Sequence, residues 1–569
     1  MLQKIRRSKL SLPRSSKIGQ ASRRTLSSQL QDYYGATATT TTTSTGSSFS
    51  YKNNTAPHSQ HLQPTITKRS LISTQIKKEF IVPLSITDIH LRHEQLPFAY
   101  FFNEVMSNAE LEASFTETLQ HFSTTGGRIV NYQNIRCSPG DTVPLTFAEM
   151  DMTMNEWLSG PAQRGHHHQS GNGKHPTLLP LFHPLFCDSN SSGIVDSDSN
   201  SNSDSQDNLM TAQVTHFSER SGTVIGVNAN HLLGDTASCV RFVECWGRAH
   251  SQTSFGVPCL DRAGLSCSGM MKPDIIDLLG IDNSSEEVMQ NDEPSWWSSL
   301  FGASCEFEEK EVDEPINHEY VALPFPSAVL DAMKDHGMES CESVNKNERI
   351  HDINNAYVST NDMIMAVAWL LKRSLSNDHG SHLSIVMNLR GRCGIDDFDD
   401  TKDYLHTNEK ATLKSGLFGN GITNVIASVA PSILGKDIEM NHVSDASRAI
   451  RRALVSGLEE IPERLAQSRI GNPIPSASSV NSSSCFSTTS WRQLSPQDIC
   501  FSPTASLVNF HGQPAHPLPK GRTFTSVVHS DLSQGGSTVE LFIPSDQAKA
   551  ARKLHANLCE LFLEWHADY

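Results

Sequence analysis

No stretch of this chain approaches the roughly 18 consecutive apolar residues that a membrane helix needs, so a soluble protein without a membrane span is expected. Its twelve cysteines include no CxxC pair and no small-domain framework. That absence argues against a disulfide-stapled secreted domain and for reduced thiols in an intracellular protein; Cys239 and Cys245 read as packing residues on a helix. Positive charge is scarce beyond the N terminus. Residues 1–80 hold 13 Lys/Arg against 2 Asp/Glu, so with a formal net charge of −16 for the whole chain the remainder carries −27. An acidic globular part argues against nucleic acid as a partner. The apolar share is only 37% over 569 residues, which means that long polar segments dilute the cores. A chain of this length defaults to two domains with material left for tails and inserts.

Residues 1–31 contain eight Lys/Arg, many Ser and no acid, the composition of a mitochondrial transit peptide, with a cytoplasmic protein bearing a basic tail as the alternative. The Thr/Ser run at 37–48 extends this, so residues 1–75 are expected to be a disordered basic extension. Two inserts follow, a His- and Ser/Asp-rich one within 164–208 and an acidic one at 281–315 that reads as the crossover between domains. His166, His167 and His168 sit in a loop-like context that offers a metal no fixed geometry, so no metal site is assigned. The rest reads as two mixed halves, 80–280 and 316–569, each with strands and helices. The fold class is therefore α+β.

The segment NANHLLGDTAS (228–238) is the most informative. Upstream, TAQVTHF and TVIGVNA alternate polar and apolar residues across Ser221-Gly222, the pattern of a strand pair with one wet face. Downstream, Val240, Val243, Trp246 and Gly247 form one helical stripe. His231 thus falls at a strand end before a helix. A neutral imidazole there is well suited to take a proton from a hydroxyl or amine. Asp235 could orient it, as in a triad, or could turn away and anchor the loop to an arginine, and spacing alone does not choose.

HxxxD by itself is a weak motif, but its context is not. VPLSITDI (82–89), LEASFTETLQHFSTTGGR (111–128), HLLGD (231–235), FVECW (242–246), VPCLDR (257–262), VSTNDMIMAVAW (358–369), MNLRGR (387–392), LFGNGI (417–422) and STTSWRQL (487–494) occur in an order that resembles the BAHD superfamily of CoA-dependent acyltransferases. The resemblance implies two chloramphenicol-acetyltransferase-like domains with a channel between them, an acyl-CoA co-substrate, no metal, and a monomer. It also implies His231 as general base, Asp235 as a structural or orienting residue, and Thr489 and Trp491 as oxyanion contacts. Ser359, Thr360, Asn388 and Arg390 are the candidates for CoA. Ser359 also reads as an ordinary helix cap, and Gly419 and Asn420 as turn formers.

One departure stands out. Where the family carries an aspartate ahead of its Gly-Trp-Gly segment, VNFHGQP has Val508, so Arg262 must find another partner or solvent. That loss keeps open a catalytically silent relative that binds acyl-CoA or a partner. A carrier-fed condensing enzyme fits less well, because Asn230 precedes His231 where such enzymes have a second histidine.

Overall fold

The computed structural model describes residues 64–159, 208–262, 318–348, 357–390, 416–469, 485–512 and 524–568, with short gaps inside some ranges, and Leu181. Residues 1–63, the insert up to residue 207 with His166–His168, and the 281–315 segment lie outside them.

The first half contains β1 (Thr65–Ser73), β2 (Phe80–Pro83), β3 (Gln95–Phe102), α1 (Asn108–Leu119), β4 (Arg128–Val130), β5 (Asn134–Cys137), β6 (Thr142–Met150), α2 (Met154–Ser159), β7 (Met210–Phe217), β8 (Thr223–Asn230) and α3 (Thr236–His250). The second contains β9 (His318–Phe325), α4 (Ser327–Glu348), α5 (Thr360–Leu375), β10 (His382–Asn388), β11 (Ile422–Ser428), α6 (Met440–Arg469), β12 (Cys485–Ser490), β13 (Leu507–Gly512), β14 (Phe524–Ser530), β15 (Ser537–Pro544) and α7 (Ala548–Asp568). The mixed α+β class expected from the sequence is what the structure has.

Two six-stranded sheets organise these elements, in the orders β1-β6-β7-β8-β3-β13 and β11-β10-β12-β14-β15-β9, with β2-β5-β4 as a small third sheet. On the first large sheet, α1 and α3 pack together. Leu111, Phe115 and Leu119 recur every four residues, which puts them on one face of α1. Phe115 meets Trp246 of α3 at 4.6 Å between ring centroids, and the Trp246 indole N–H donates to Ser114 Oγ at 3.1 Å. On the second, α5 is apolar nearly all round and accordingly buried from Asp362 to Arg373.

Three expectations need correction. Residues 65–73 are not part of an unstructured extension; they form β1, which pairs with β6 from Thr65↔Glu149 to Ser73↔Thr142 and closes one sheet edge. The β7/β8 pair has no wet face. Both strands are central, so Thr211, Gln213 and Thr215, which alternate with the core residues of β7, are buried as well. The halves are also not strictly sequential. β13 leaves the second half to pair with β3, from Leu507↔Phe102 to Gly512↔Phe98, and Phe501 beside it packs on Trp246 at 5.5 Å. Gly247 makes this approach feasible, because a Cβ there would stand 2.7 Å from the Cys500 carbonyl oxygen.

Candidate active site

β8 ends at Asn230 and α3 starts at Thr236, so HLLGD is the turn between a central strand and a helix. The backbone of His231 is tied down on both sides: its N–H donates to the Glu94 carbonyl at 2.8 Å, and its carbonyl accepts from Asn420 Nδ2 at 2.7 Å. The ring itself is half-buried and free. Nδ1 is buried with no hydrogen-bond partner, and among the described residues none bonds Nε2.

Asp235 is the N-cap of α3 and its carboxylate is used in full. Oδ1 accepts from Ser238 N–H at 3.0 Å, satisfying one of the helix's free amides. Oδ2 accepts from Arg390 Nη1 at 2.6 Å and from Gly421 N–H at 2.9 Å. No bond runs from it to the imidazole. Of the two roles the spacing left open, the geometry has the loop anchor, and the arginine that holds it comes from the other half of the chain.

Arg390 lies two residues past β10 and spends every guanidinium N–H inside the protein. Nε donates to Leu417 O at 3.2 Å, Nη1 to Asp235 and to Asn388 Oδ1, and Nη2 to Ser238 Oγ at 2.9 Å and Gly419 O at 2.6 Å. None of its five donors remains for a phosphate. Asn388 is committed too, since its Oδ1 accepts from Arg390 N–H at 3.0 Å. Ser359 forms a reciprocal cap with Asp362: Ser359 N–H donates to Asp362 Oδ2 at 2.7 Å, and Asp362 N–H to Ser359 Oγ at 3.2 Å. Arg451 Nε then reaches the same Oδ2 at 2.9 Å. Thr360 opens α5, half-buried. Of the four residues proposed for CoA, Ser359 belongs to one bonded network and Asn388 and Arg390 to another, so three of them already have structural duties.

Arg262 is 1% exposed and carries the answer to the missing aspartate at Val508. Its Nη1 pairs with Asp88 Oδ2 at 3.0 Å and donates to Leu232 O at 2.9 Å, while Nη2 donates to Leu233 O at 2.6 Å. Asp88 in turn accepts through Oδ1 from Asn420 Nδ2 at 2.7 Å. The Arg262–Asp88 pair thus grips the two carbonyls just after His231. Val508, 38% exposed, lies on β13 away from this pair's bonding.

The FGN loop closes the arrangement. Gly419 N–H donates to Ser238 Oγ at 3.0 Å, and a Cβ at Gly419 would stand 3.1 Å from Arg262 Nε, so the loop backbone lies directly against that guanidinium. Asn420 does more than shape a turn, because its amide bridges Asp88 and the His231 carbonyl. Sequence reasoning missed Asp88, Ser238 and Asn420 as members of the site. Asp88 and Asn420 sit inside motifs that had been noticed, but no spacing pairs positions 332 residues apart.

Thr489 and Trp491 lie at the end of β12, 8% and 6% exposed. Trp491 N–H donates to Val528 O at 2.7 Å, and its ring meets Phe98 edge-on at 5.7 Å, which links β12 of the second sheet to β3 of the first. Among the described residues no cluster of three potential metal ligands occurs, and no helix is long and apolar enough to cross a membrane.

The strand-end His231 thus sits in a turn bonded from both halves of the chain, by Asn420 and Arg390. The model of the Transferase family matches residues 182–502, more than half of the chain, and the chain belongs to that family, the BAHD acyltransferases. A malonyl-coenzyme:anthocyanin 5-O-glucoside-6'''-O-malonyltransferase from Salvia splendens is 24% identical over 208 residues, 32% of this chain and 40% of that protein. The matched stretch thus spans less than half of that relative's length. Vinorine synthase has a similar fold, with a TM-score of 0.51 at 17% identity over 86% of this chain and 96% of that one. So does F. graminearum TRI101, crystallised with coenzyme A and deoxynivalenol, with a TM-score of 0.50 at 12% identity over 83% of this chain and 96% of that one.

Asp235→Asn is expected to reduce folded yield and thermal stability along with rate, because the amide presents an N–H where Arg390 or Gly421 also donates. Breaking one side of such a buried pair typically costs about 3–5 kcal/mol. Chemical denaturation alongside a turnover assay checks this; unchanged stability with a rate loss alone would return Asp235 to an orienting role.

Proposed function

We propose that the chain is an acyl-CoA-dependent acyltransferase that moves an acyl group from a CoA thioester to a hydroxyl or amine, with His231 as general base. The observation that carries the reading is the contrast around His231: its backbone and neighbours are bonded, whereas its imidazole has no hydrogen-bond partner among the described residues. The bonded frame fixes the backbone from which the ring projects, and the unbonded ring nitrogens are left to act on a bound nucleophile.

In this reading His231 takes the acceptor's proton as its oxygen or nitrogen attacks the thioester carbonyl. The tetrahedral oxyanion is met in this reading by Thr489 Oγ1 and the Trp491 indole N–H, donors whose worth lies in charge that develops only in the transition state. Protonated His231 returns its proton to the departing CoA sulfur. No acyl-enzyme is formed.

The CoA role is supported by the relatives' names: one is a malonyl-coenzyme transferase and another was crystallised with CoA. With Arg390, Asn388 and Ser359 committed elsewhere, Thr360 and main-chain groups are left among the proposed CoA contacts. A monomer and a small-molecule acceptor complete the proposal, and the basic first 31 residues support an organelle address.

Thiol release from a panel of acetyl-, malonyl-, aromatic and long-chain acyl-CoAs, with pooled alcohols and amines, tests the activity. Release that requires both an acyl-CoA and an acceptor is the expected result. Acyl-CoA binding without acceptor-dependent release would favour the silent relative instead.

A further inference from the structure

The small sheet β2-β5-β4 packs one face on the core through Val82, Ile135 and Cys137, all buried. Its other face carries Ile81, Arg136 and Arg128 in one register row. Residues directly opposite in an antiparallel pair share a face with Cβ atoms about 4.5–5.5 Å apart, so the two arginine stems are held side by side. Like charges so placed oppose sheet formation. Among the described residues neither guanidinium has an ion-pair or hydrogen-bond partner.

Both arginines line a cavity of about 290 Å³ together with Ser138, Pro139, Gly140 and Asp141. Its one carboxylate is turned inward: Asp141 is 8% exposed, and its Oδ2 accepts Ser138 N–H at 2.6 Å. Gly140 adopts a φ of 96°, and the place of its missing Cβ is open space, so the turn leaves the cavity mouth clear. Exposed Lys77 and Lys78 precede β2 on the segment beside this turn, which Thr74 N–H joins to Asp141 O at 3.0 Å. Glu79 stands at the rim and accepts from Ser138 Oγ at 2.8 Å. In a chain with a formal net charge of −16, two adjacent guanidiniums with no ion-pair partner among the described residues form a local focus for anions in this polar cavity.

We propose that the Arg128/Arg136 cavity binds the phosphate or diphosphate group of a small molecule, at a site that shares no residue with the surroundings of His231. Paired guanidiniums bracket tetrahedral oxyanions with charge-assisted hydrogen bonds. The volume lies at the lower end of small-molecule pockets, enough for a diphosphate and too small for a whole nucleotide cofactor. The inference does not depend on the acyl-transfer reading.

Pyrophosphate is the probe, titrated calorimetrically into the full chain at low salt. Saturable binding is expected, weakened about tenfold or more in Arg136→Ala, as removal of a charge-assisted contact implies. Arg136→Lys should keep part of the affinity. Arg136 is exposed, so its loss should leave the fold intact, and without pyrophosphate Arg136→Ala should melt no lower than the native chain because the like-charge pair is gone. Absence of saturable binding at millimolar pyrophosphate, or equal affinity in Arg136→Ala, would overturn the proposal. The same titrations with CoA identify the source of the phosphate. An equal weakening of CoA binding in Arg136→Ala assigns the site to the acyl donor's diphosphate, and unchanged CoA affinity assigns it to a separate phosphorylated metabolite.

Discussion

His231→Ala is expected to lower acyl transfer by about 10²–10⁴-fold, the usual contribution of a positioned general base, while leaving stability nearly unchanged. The separation is unusual for a residue at the centre of a bonded loop, and it follows from which atoms do the bonding. The contacts that fix the loop at this position use the His231 N–H and carbonyl, which alanine also has. Among the described residues the imidazole has no hydrogen-bond partner, and its Nδ1 is buried without one. Removing the ring therefore deletes the base without unlocking the frame. Turnover with saturating acyl-CoA and acceptor, beside a denaturation curve, checks both halves. Retention of more than about a tenth of the native rate would shift the base to another group, since even the low end of general-base contributions exceeds that.

Arg262→Ala should have the opposite profile, a large loss of stability with loss of activity as its consequence. The Arg262 and Asp88 side chains are both fully buried, and the alanine would strand the Asp88 charge and leave the carbonyls of Leu232 and Leu233 without their donors. Truncating one partner of a buried pair costs about 3–5 kcal/mol, and unfilled space where Arg262 stood adds to that. Asp88→Asn alone should be milder, because Arg262 keeps its bonds to the Leu232 and Leu233 carbonyls. The double variant Asp88→Asn/Arg262→Ala should lose less than the two single losses summed, since the stranded charge is then absent. Urea denaturation of the four proteins measures the coupling. Strict additivity would mean that Arg262 acts through packing alone.

These two substitutions divide the HLLGD turn into what reacts and what holds. That division was not visible in the motif. Spacing left Asp235 between a triad role and an anchoring role, and the choice depended on Arg390, 155 residues further along the chain. Likewise, the absent aspartate at Val508 suggested an orphaned Arg262, yet Asp88 is its partner, from a segment singled out only as part of an opening strand motif.

Among the elements, those with strong local periodicity were legible. The α3 stripe of Val240, Val243, Trp246 and Gly247 reflects one-sided burial, which the sequence must encode residue by residue. β7 and β8 misled for the same reason. Their alternation marks two faces but not what covers the second, and Thr211, Gln213 and Thr215 are buried because the strands lie in the middle of a six-stranded sheet. β1 went unread because it is an edge strand, mostly exposed and rich in Thr, Ser, Lys and Arg, so its pairing with β6 leaves little hydrophobic trace.

By itself the sequence determined the family, through nine short motifs in a fixed order, along with the α+β class and the histidine at a strand end. Those features are local, set by a few adjacent residues whose identities shape a turn, a cap or a stripe. Only the tertiary structure decided that β13 crosses to the first sheet, that Arg390 and Arg262 clamp the loop, and that Arg128 and Arg136 stand side by side without a partner among the described residues. The first two are contacts between segments far apart in the chain, and the third follows from the register of the β4/β5 pair. Such pairings depend on strand register and on which buried charge finds which partner, and neither leaves a periodic signal in the residues themselves.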